Sequence, residues 1–170
     1  NNEVLRMFYG MVKGWFKAAS SEYNAFVKAL LIGDKKSMNA YMNRLSLNIF
    51  SYFDTGNRPS GQDPERFYHG FVLGLIAELT SKYIITSNRE SGFGRYDVVI
   101  EPKNKIKDAL ILEFKVHDPE YEADLKETVE SALKQIDEKQ YETDLVARGF
   151  AKEQIRKLGF AFEGKKVLIG

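Results

Sequence analysis

Apolar residues recur at helical spacing through the first third of the chain. One stripe runs from Val4 to Trp15, and two more occupy residues 21–32 and 37–53. Spacings of three and four residues place apolar side chains on one face of a helix. None of the stripes carries a cluster of catalytic or metal-binding residue types. We therefore predict three amphipathic helices whose role is packing.

The pattern changes after residues 54–63, which are rich in glycine and polar residues and are predicted to form a loop. A helix capped by Asp63 is predicted to follow and to continue to about Lys82. The loop divides the chain into a helical N-terminal segment, residues 1–58, and a core, residues 59–170. Because the loop is short, we expect the two parts to pack together.

The core has the pattern of strands followed by one helix and a hairpin. Residues 83–88, 96–101 and 109–116 are predicted strands. One long helix is predicted from about Pro119 to Arg148, and a final hairpin occupies residues 155–169. The order α-β-β-β-α-β predicts an α/β fold, in which a mixed sheet lies between helices.

Composition narrows the class of protein. The 170 residues include 25 Lys and Arg against 24 Asp and Glu, so a nucleic-acid-binding surface would have to be local. The absence of cysteine excludes disulfides and cysteine-ligated metals and agrees with a cytoplasmic location. No apolar run reaches the ~20 residues of a membrane-spanning helix, so we expect no membrane association. The chain begins at Asn1, with neither an initiator Met nor a signal-peptide pattern, so we expect a fragment of a longer protein, and a trimmed N-terminus would give the same start.

Three charged residues interrupt the second and third predicted strands. If residues 102–108 close a simple hairpin, Asp97 lies directly opposite Glu113, and Lys115 points to the same side as Glu113. Opposed Cβ atoms are about 4.5–5.5 Å apart, and like charges placed so are destabilising. A divalent cation between the carboxylates would explain the pair, and Mg²⁺ binds in this way. A lysine–carboxylate ion pair in a half-exposed sheet explains the same spacing.

Two short segments carry a family resemblance. Residues 94–97 (Gly-Arg-Tyr-Asp) and 112–115 (Leu-Glu-Phe-Lys) resemble the PD-(D/E)XK nuclease superfamily. Residues 67–71 and 87–97 are similar to one bacterial family, in which such a domain follows an AAA-ATPase-like module in a longer chain. The resemblance implies a restriction-endonuclease-like core and metal-dependent hydrolysis of phosphodiester bonds in nucleic acid, with DNA as the expected substrate.

The resemblance also implies roles for the charged residues. Asp97 and Glu113 would hold one or two Mg²⁺ (or Mn²⁺) ions, and Lys115 would position the attacking water. The implied partners are nucleic acid and an ATPase-like module in the same full-length chain.

Further site residues are implied outside the strands. Gln135 and Tyr141 match, loosely, a glutamine and a tyrosine on the helix after the third strand. Gln135 would then join the catalytic residues, although a solvated Gln135 fits the spacing equally well. Superfamily members often have another acid on the helix before the sheet, and Glu78 is the expected further metal ligand, with Glu90 as its rival.

The expected nucleic-acid contacts are Arg89, Arg95 and Tyr141. Further candidates for contacts with backbone phosphates are Lys103, Lys105 and Lys139. Each of the basic side chains could equally be a solvated surface charge.

Two other functions remain compatible with the sequence. A catalytically silent nuclease fold could dock a partner protein, which the near-zero net charge and the aromatic-rich helices would suit. A nucleic-acid binder without cleavage would show steep salt dependence of binding but would release no products.

Overall fold

The computed structural model describes residues 20–53, 72–74, 76–89 and 96–170. The elements labelled here are α1 (Ser20–Ile32), α2 (Lys35–Phe53), β1 (Tyr83–Arg89), β2 (Tyr96–Pro102), β3 (Ala109–Val116), α3 (Leu125–Glu138), α4 (Tyr141–Ala147), β4 (Ile155–Glu163) and β5 (Lys166–Ile169). Short 3₁₀ turns span Ala77–Ser81 and Lys152–Gln154.

Most predicted elements are confirmed within one or two residues. The helices predicted at 21–32 and 37–53 correspond to α1 and α2, and all three early strands are present. The helix predicted from Val4 and the loop at 54–63 lie outside the described residues. No helix among the residues that the structure describes is both long and apolar enough to cross a bilayer.

The strands form one sheet in the order β1-β2-β3-β4-β5. Strands β3 and β4 are parallel, while the other neighbouring pairs are antiparallel. A parallel pair needs a crossover connection, and α3 with α4 provides it between β3 and β4. The predicted mixed sheet in an α/β fold is therefore confirmed.

The prediction of a single helix from Pro119 to Arg148 is wrong. Helix α3 begins only at Leu125, because the Asp124 side chain accepts hydrogen bonds from the backbone N–H groups of residues 126 and 127. It ends at Glu138, and Gln140 adopts a left-handed conformation with φ of 59° before α4 begins. Left-handed φ values are uncommon for residues other than glycine. The conformation of Gln140 therefore interrupts the helix and separates α3 from α4.

Both faces of the central strands are buried, as their apolar runs predict. On one face, side chains of β2, β3 and β4 pack with Phe26, Leu30, Met38 and Met42 from α1 and α2. On the other face, a smaller cluster joins the sheet to α3 and α4. Its buried residues are Val99, Ala109, Ile111, Ile136, Leu145, Phe150 and Ile155. Asp97 and Glu113 lie on this second face, two residues along their strands from Val99 and Ile111.

Close packing of α3 against β4 depends on Gly159. A Cβ atom at this position would lie 2.9 Å from the Val129 carbonyl oxygen and 3.2 Å from the Ala132 Cβ. Both of those residues belong to α3. Gly159 also lies opposite Glu113 in the β3–β4 pairing. Gly159 therefore sets how closely α3 approaches the sheet, at a position next to the buried Glu113.

Asparagine side chains of α2 satisfy the backbone along β5. The Asn39 amide donates to the Ile169 carbonyl and accepts from the Ile169 N–H, both at 2.8 Å. Asn43 makes the same pair of bonds with Val167, at 2.7 and 2.9 Å. Four helical residues rise about 6 Å and two strand residues about 6.8 Å, so the two spacings match. Helix α2 thus covers the outer side of β5.

Asn43→Ala is expected to lower the free energy of unfolding by about 2 kcal/mol, because both backbone groups of Val167 would lose their partner. Asn24→Ala, an exposed change on α1, is the matched control and should be neutral or slightly stabilising. Urea unfolding of both variants measures the difference. Equal effects would show that the Asn43 contacts add no stability.

Candidate active site

Two buried carboxylates face each other across β2 and β3. Asp97 pairs directly with Glu113 in the antiparallel register, as the hairpin argument predicts. Asp97 is 1% exposed to solvent and Glu113 is 0% exposed. Buried charges are costly unless they are paired or bound to a metal. The arrangement therefore requires a positive charge close to both acids.

Lys139 supplies a positive charge between the two acids. Its Nζ lies 2.9 Å from Asp97 Oδ2 and 3.1 Å from Glu113 Oε2. The Tyr141 hydroxyl donates to the same Asp97 oxygen at 2.7 Å. The other Asp97 oxygen, Oδ1, is buried and has no hydrogen-bond partner among the described residues.

The surroundings of Lys139 keep its amine protonated. Burial alone would lower its pKa, but the hydrogen bond to Asp97 and the charges of Glu113 and Asp97 raise the pKa well above its ordinary value. Two carboxylates and one ammonium sum to a formal charge of −1. The Lys139 side chain is 15% exposed, so the cluster lies at the edge of the core rather than in its centre.

The break between α3 and α4 brings Lys139 and Tyr141 to the acids. Lys139 is the C-cap residue directly after α3, and Tyr141 begins α4 after the left-handed Gln140. Lys157 of β4 bridges the break by pairing with Asp137 on one side and Glu142 on the other. Burial would lower the Lys157 pKa, but these two hydrogen-bonded carboxylates raise it, so the bridging charge is retained.

Lys115 is held by a neighbouring polar cluster. Its ammonium pairs with Glu122 and donates to the Ser131 hydroxyl of α3 at 2.7 Å. Glu122 also accepts from the Thr128 hydroxyl at 2.7 Å and from the Asp118 backbone N–H at 3.1 Å. Lys115 therefore shares the sheet face of Glu113, as predicted, but its described partners differ from those of the acid pair.

Glu122 is anionic in this cluster. Burial raises its pKa, but the hydrogen bonds from Lys115 and Thr128 outweigh burial, and the pKa lies below its ordinary value. A lowered carboxyl pKa stabilises the fold above the unfolded-state pKa, and the contribution is lost as the pH falls through the folded value. The Lys115–Glu122 pair thus strengthens, at neutral pH, the connection between β3 and the segment that leads into α3.

Gln135 lies on the same side of α3 as Lys139. The two residues are four apart, and the Lys139 backbone N–H donates to the Gln135 carbonyl at 3.1 Å. Residues at this spacing are neighbours on a helix surface. Gln135 is half-buried. The expectation that Gln135 and Tyr141 share one continuous helix is wrong, because the chain turns at Gln140.

The remaining predicted residues are described only in part. Glu78 lies in the 3₁₀ turn before β1, and Arg89 ends β1 opposite Tyr96, but the side chains of Glu78 and Arg89 lie outside the described structure. Arg95 and Glu90 fall outside it entirely. Lys103 and Lys105 lie in the β2–β3 turn, where they donate to backbone carbonyls of Thr80, Ser81 and Arg148.

Sequence reasoning missed the ion pairs of Lys139 and of Glu122. Lys139 was expected only as a phosphate contact, and Glu122 received no role. Residues 120–148 contain neither glycine nor proline, so no local signal marks the turn at Gln140. Asp124 is an N-cap residue type and could have shown that Glu122 precedes the helix.

The two carboxylates suit Mg²⁺, which needs few protein ligands, better than a metal ion that is held entirely by protein side chains. Within the described ranges, no group of three or more His, Asp or Glu side chains could hold a metal ion. Mg²⁺ commonly takes one or two carboxylates and fills its other positions with water and substrate phosphate. Asp97 and Glu113 supply two carboxylates, and Asp97 Oδ1 accepts no hydrogen bond from the described part of the chain.

The comparison with known families agrees with this geometry. The family model of the PD-(D/E)XK nuclease superfamily matches residues 63–170. The chain therefore belongs to this superfamily, and its mixed sheet between helices is a restriction-endonuclease-like core. None of the curated proteins matches the sequence. Membership makes a nuclease the class of enzyme to test.

Proposed function

We propose that this chain hydrolyses phosphodiester bonds in nucleic acid, with DNA as the substrate and with a divalent cation held by Asp97 and Glu113. One observation carries the proposal: two fully buried carboxylates oppose each other on neighbouring strands, with the Lys139 ammonium between them. A pair of buried like charges has no structural benefit of its own. A site that exists to bind cations accounts for it.

Mg²⁺, or Mn²⁺ in its place, is the proposed cofactor. When bound, such an ion polarises a phosphoryl oxygen and lowers the pKa of a coordinated water. Asp97 and Glu113 would hold it, and Glu78, from the turn before β1, is the proposed further ligand. Tyr141 fixes one Asp97 oxygen by donating to it at 2.7 Å, which leaves Oδ1 as the acceptor for the ion.

Lys115 is proposed to offset the negative charge of the reacting phosphate. Fixed cationic donors stabilise charge that develops in a transition state. Glu122 and Ser131 restrict the Lys115 amine to the α3 face of the sheet. Phosphate oxygens would compete with Glu122 for this amine. Gln135 is proposed to orient water on the same face.

The nucleic-acid backbone is proposed to lie along the end of the sheet where Asp97 stands. Arg89 and Arg95 flank that end in sequence, and their positive charges would contact phosphates. Tyr141 would border the same path. We also propose that the domain works in the cytoplasm, in a longer chain with an ATPase-like module. The similarity of residues 67–71 and 87–97 to the corresponding bacterial family supports that linkage.

A calorimetric titration with Mn²⁺, followed by a cleavage screen, tests the proposal. The wild-type chain should bind Mn²⁺ and cut DNA, and EDTA should stop the reaction. Glu113→Gln should bind Mn²⁺ at least about a hundredfold more weakly, since even residues that support metal ligands contribute up to that factor. Glu130→Gln, an exposed change on α3, is the control and should behave as wild type.

The screen should compare single- and double-stranded DNA and RNA of defined sequence. Metal binding without products on any substrate would favour the silent nucleic-acid-binding alternative. Absence of both metal binding and products would contradict the enzymatic proposal and favour the protein-docking alternative.

A further inference from the structure

The position of Lys139 suggests more than an ion pair. Its ammonium contacts both acids at once, at 2.9 Å from Asp97 Oδ2 and at 3.2 and 3.1 Å from the two Glu113 oxygens. An ammonium group on a flexible stem is a compact point charge with three donors. It therefore occupies both Glu113 oxygens, which a metal ion held by the pair would also need, and it leaves only Asp97 Oδ1 without a described partner.

The two carboxylates need this charge whenever no other cation is present. Buried acids without a counter-ion carry a large desolvation cost, and their mutual repulsion adds to it. The Tyr141 hydroxyl assists by donating to Asp97, but it brings no positive charge. Among the described contacts, the ammonium thus neutralises one of the two negative charges of the pair.

The backbone that carries Lys139 is fixed, while its amine is able to move. Lys157 pairs with Asp137 and Glu142 and so secures the chain on both sides of the turn. Four methylene groups separate the Lys139 amine from that backbone. The side chain is 15% exposed, which gives solvent a route to the acids. Rotation about its side-chain bonds alone would move the amine away from the acids.

We infer that Lys139 is the resident counter-ion of the Asp97–Glu113 pair, and that a divalent cation enters the site by displacing its ammonium group. The inference rests on the proposed function, because it concerns how the same site becomes loaded. Replacing a charge of +1 by a charge of +2 changes the formal charge of the cluster from −1 to 0. Lys139 therefore competes with the metal and also keeps the acids assembled before the metal arrives.

The test is a Mn²⁺ titration of the 170-residue wild type, Lys139→Met, Lys139→Arg and Lys134→Met. Methionine keeps an unbranched apolar stem and removes the charge. Lys139→Met should bind Mn²⁺ at least about tenfold more tightly, since close charge pairs couple by that much or more. Lys139→Arg keeps the competing charge and should not gain affinity. Lys134 is the control, because its side chain on α3 is 79% exposed.

Thermal unfolding provides a second measurement on the same proteins. Without metal, Lys139→Met should unfold at a lower temperature than wild type, and saturating Mn²⁺ should restore more stability to this variant than to wild type. Unchanged or weaker Mn²⁺ binding by Lys139→Met, with normal binding by wild type, would overturn the inference and leave the proposed nuclease function standing. Absence of binding in both proteins would overturn the inference and the metal dependence together.

A measurement on the wild type covers the case in which Lys139→Met does not fold. In a ¹³C NMR titration with diamagnetic Mg²⁺, the Cε signal of Lys139 should shift as the site fills, while that of Lys134 should not. The Lys139→Arg variant assigns the signal. A Lys139 signal that stays constant while Mg²⁺ saturates the protein would contradict displacement.

Discussion

Asp97→Asn is expected to lower phosphodiester cleavage by at least about a thousandfold, which corresponds to the several kcal/mol that a bound metal ion contributes to catalysis. Asparagine keeps the shape of the side chain and can still accept the Tyr141 hydrogen bond. It lacks the negative charge that faces Glu113 in the register of β2 and β3. Initial rates on the DNA substrate that the wild type cuts best measure the loss.

The same substitution should leave the thermal unfolding temperature unchanged or higher. Wild type places two carboxylates around one ammonium, whereas the variant places one carboxylate beside Lys139, so the repulsion between acids disappears. Lost activity with undiminished stability is the behaviour of a residue selected for function.

Glu101→Gln is the matched control for Asp97→Asn. Glu101 is also buried in β2, but it pairs with Arg148 rather than with Lys139. This variant should retain cleavage. An Asp97→Asn protein with full activity would place the catalytic centre elsewhere in the chain.

Gly159→Val is expected to lower the free energy of unfolding by about 3 kcal/mol, at the upper end of the usual cost of overpacking. The position leaves no room for a branched side chain, because even a Cβ would lie 2.9 Å from the Val129 carbonyl. Relief of that contact requires α3 to move away from β4. Chemical denaturation with urea measures the cost.

Gly164→Ala is the matched control for Gly159→Val. Gly164 has a φ of +55°, and a Cβ there would lie more than 4 Å from every other described residue except its chain neighbours. Its cost should be only about 1 kcal/mol, from the left-handed backbone alone. If the two variants lost equal stability, close packing of α3 on β4 would not be a major contribution.

The central strands could be predicted from sequence because their signals are local. Residues 109–116 form an apolar run interrupted only by Glu113 and Lys115, and their bounds match β3. The short turn at 102–108 then fixes the register, since a hairpin leaves few alternatives. The opposition of Asp97 and Glu113 follows from these two facts alone.

The path of the chain after α3 could not be predicted in the same way. Lys139 and Gln140 are both good helix formers, so their intrinsic preference favours a continuous helix. Contacts with β4 decide otherwise, because Lys157 pairs with acids on both sides of the turn. Tertiary contacts of this kind leave no periodic signal in the sequence.

The ion pairs of the site depend on that same turn. A straight helix would have separated Lys139 from the position that Tyr141 reaches, whereas the turn directs both side chains to Asp97. The partner of Lys115 depends on another irregular segment, residues 117–124, which contains Glu122. The two acids on the strands could therefore be predicted from the sequence. The ion pair that Lys139 makes with them, and the pairing of Glu122 with Lys115, could not.

The asparagine contacts along β5 limit how far this protein can be shortened. The family match begins at residue 63, yet Asn39 and Asn43 lie on α2, which ends at Phe53. A fragment trimmed to the matched region would present amide and carbonyl groups of β5 to other chains, which is the kind of surface that promotes aggregation. Expression trials should therefore treat α2 as part of the folding unit, because the region that matches the family and the region that folds stably have different boundaries here.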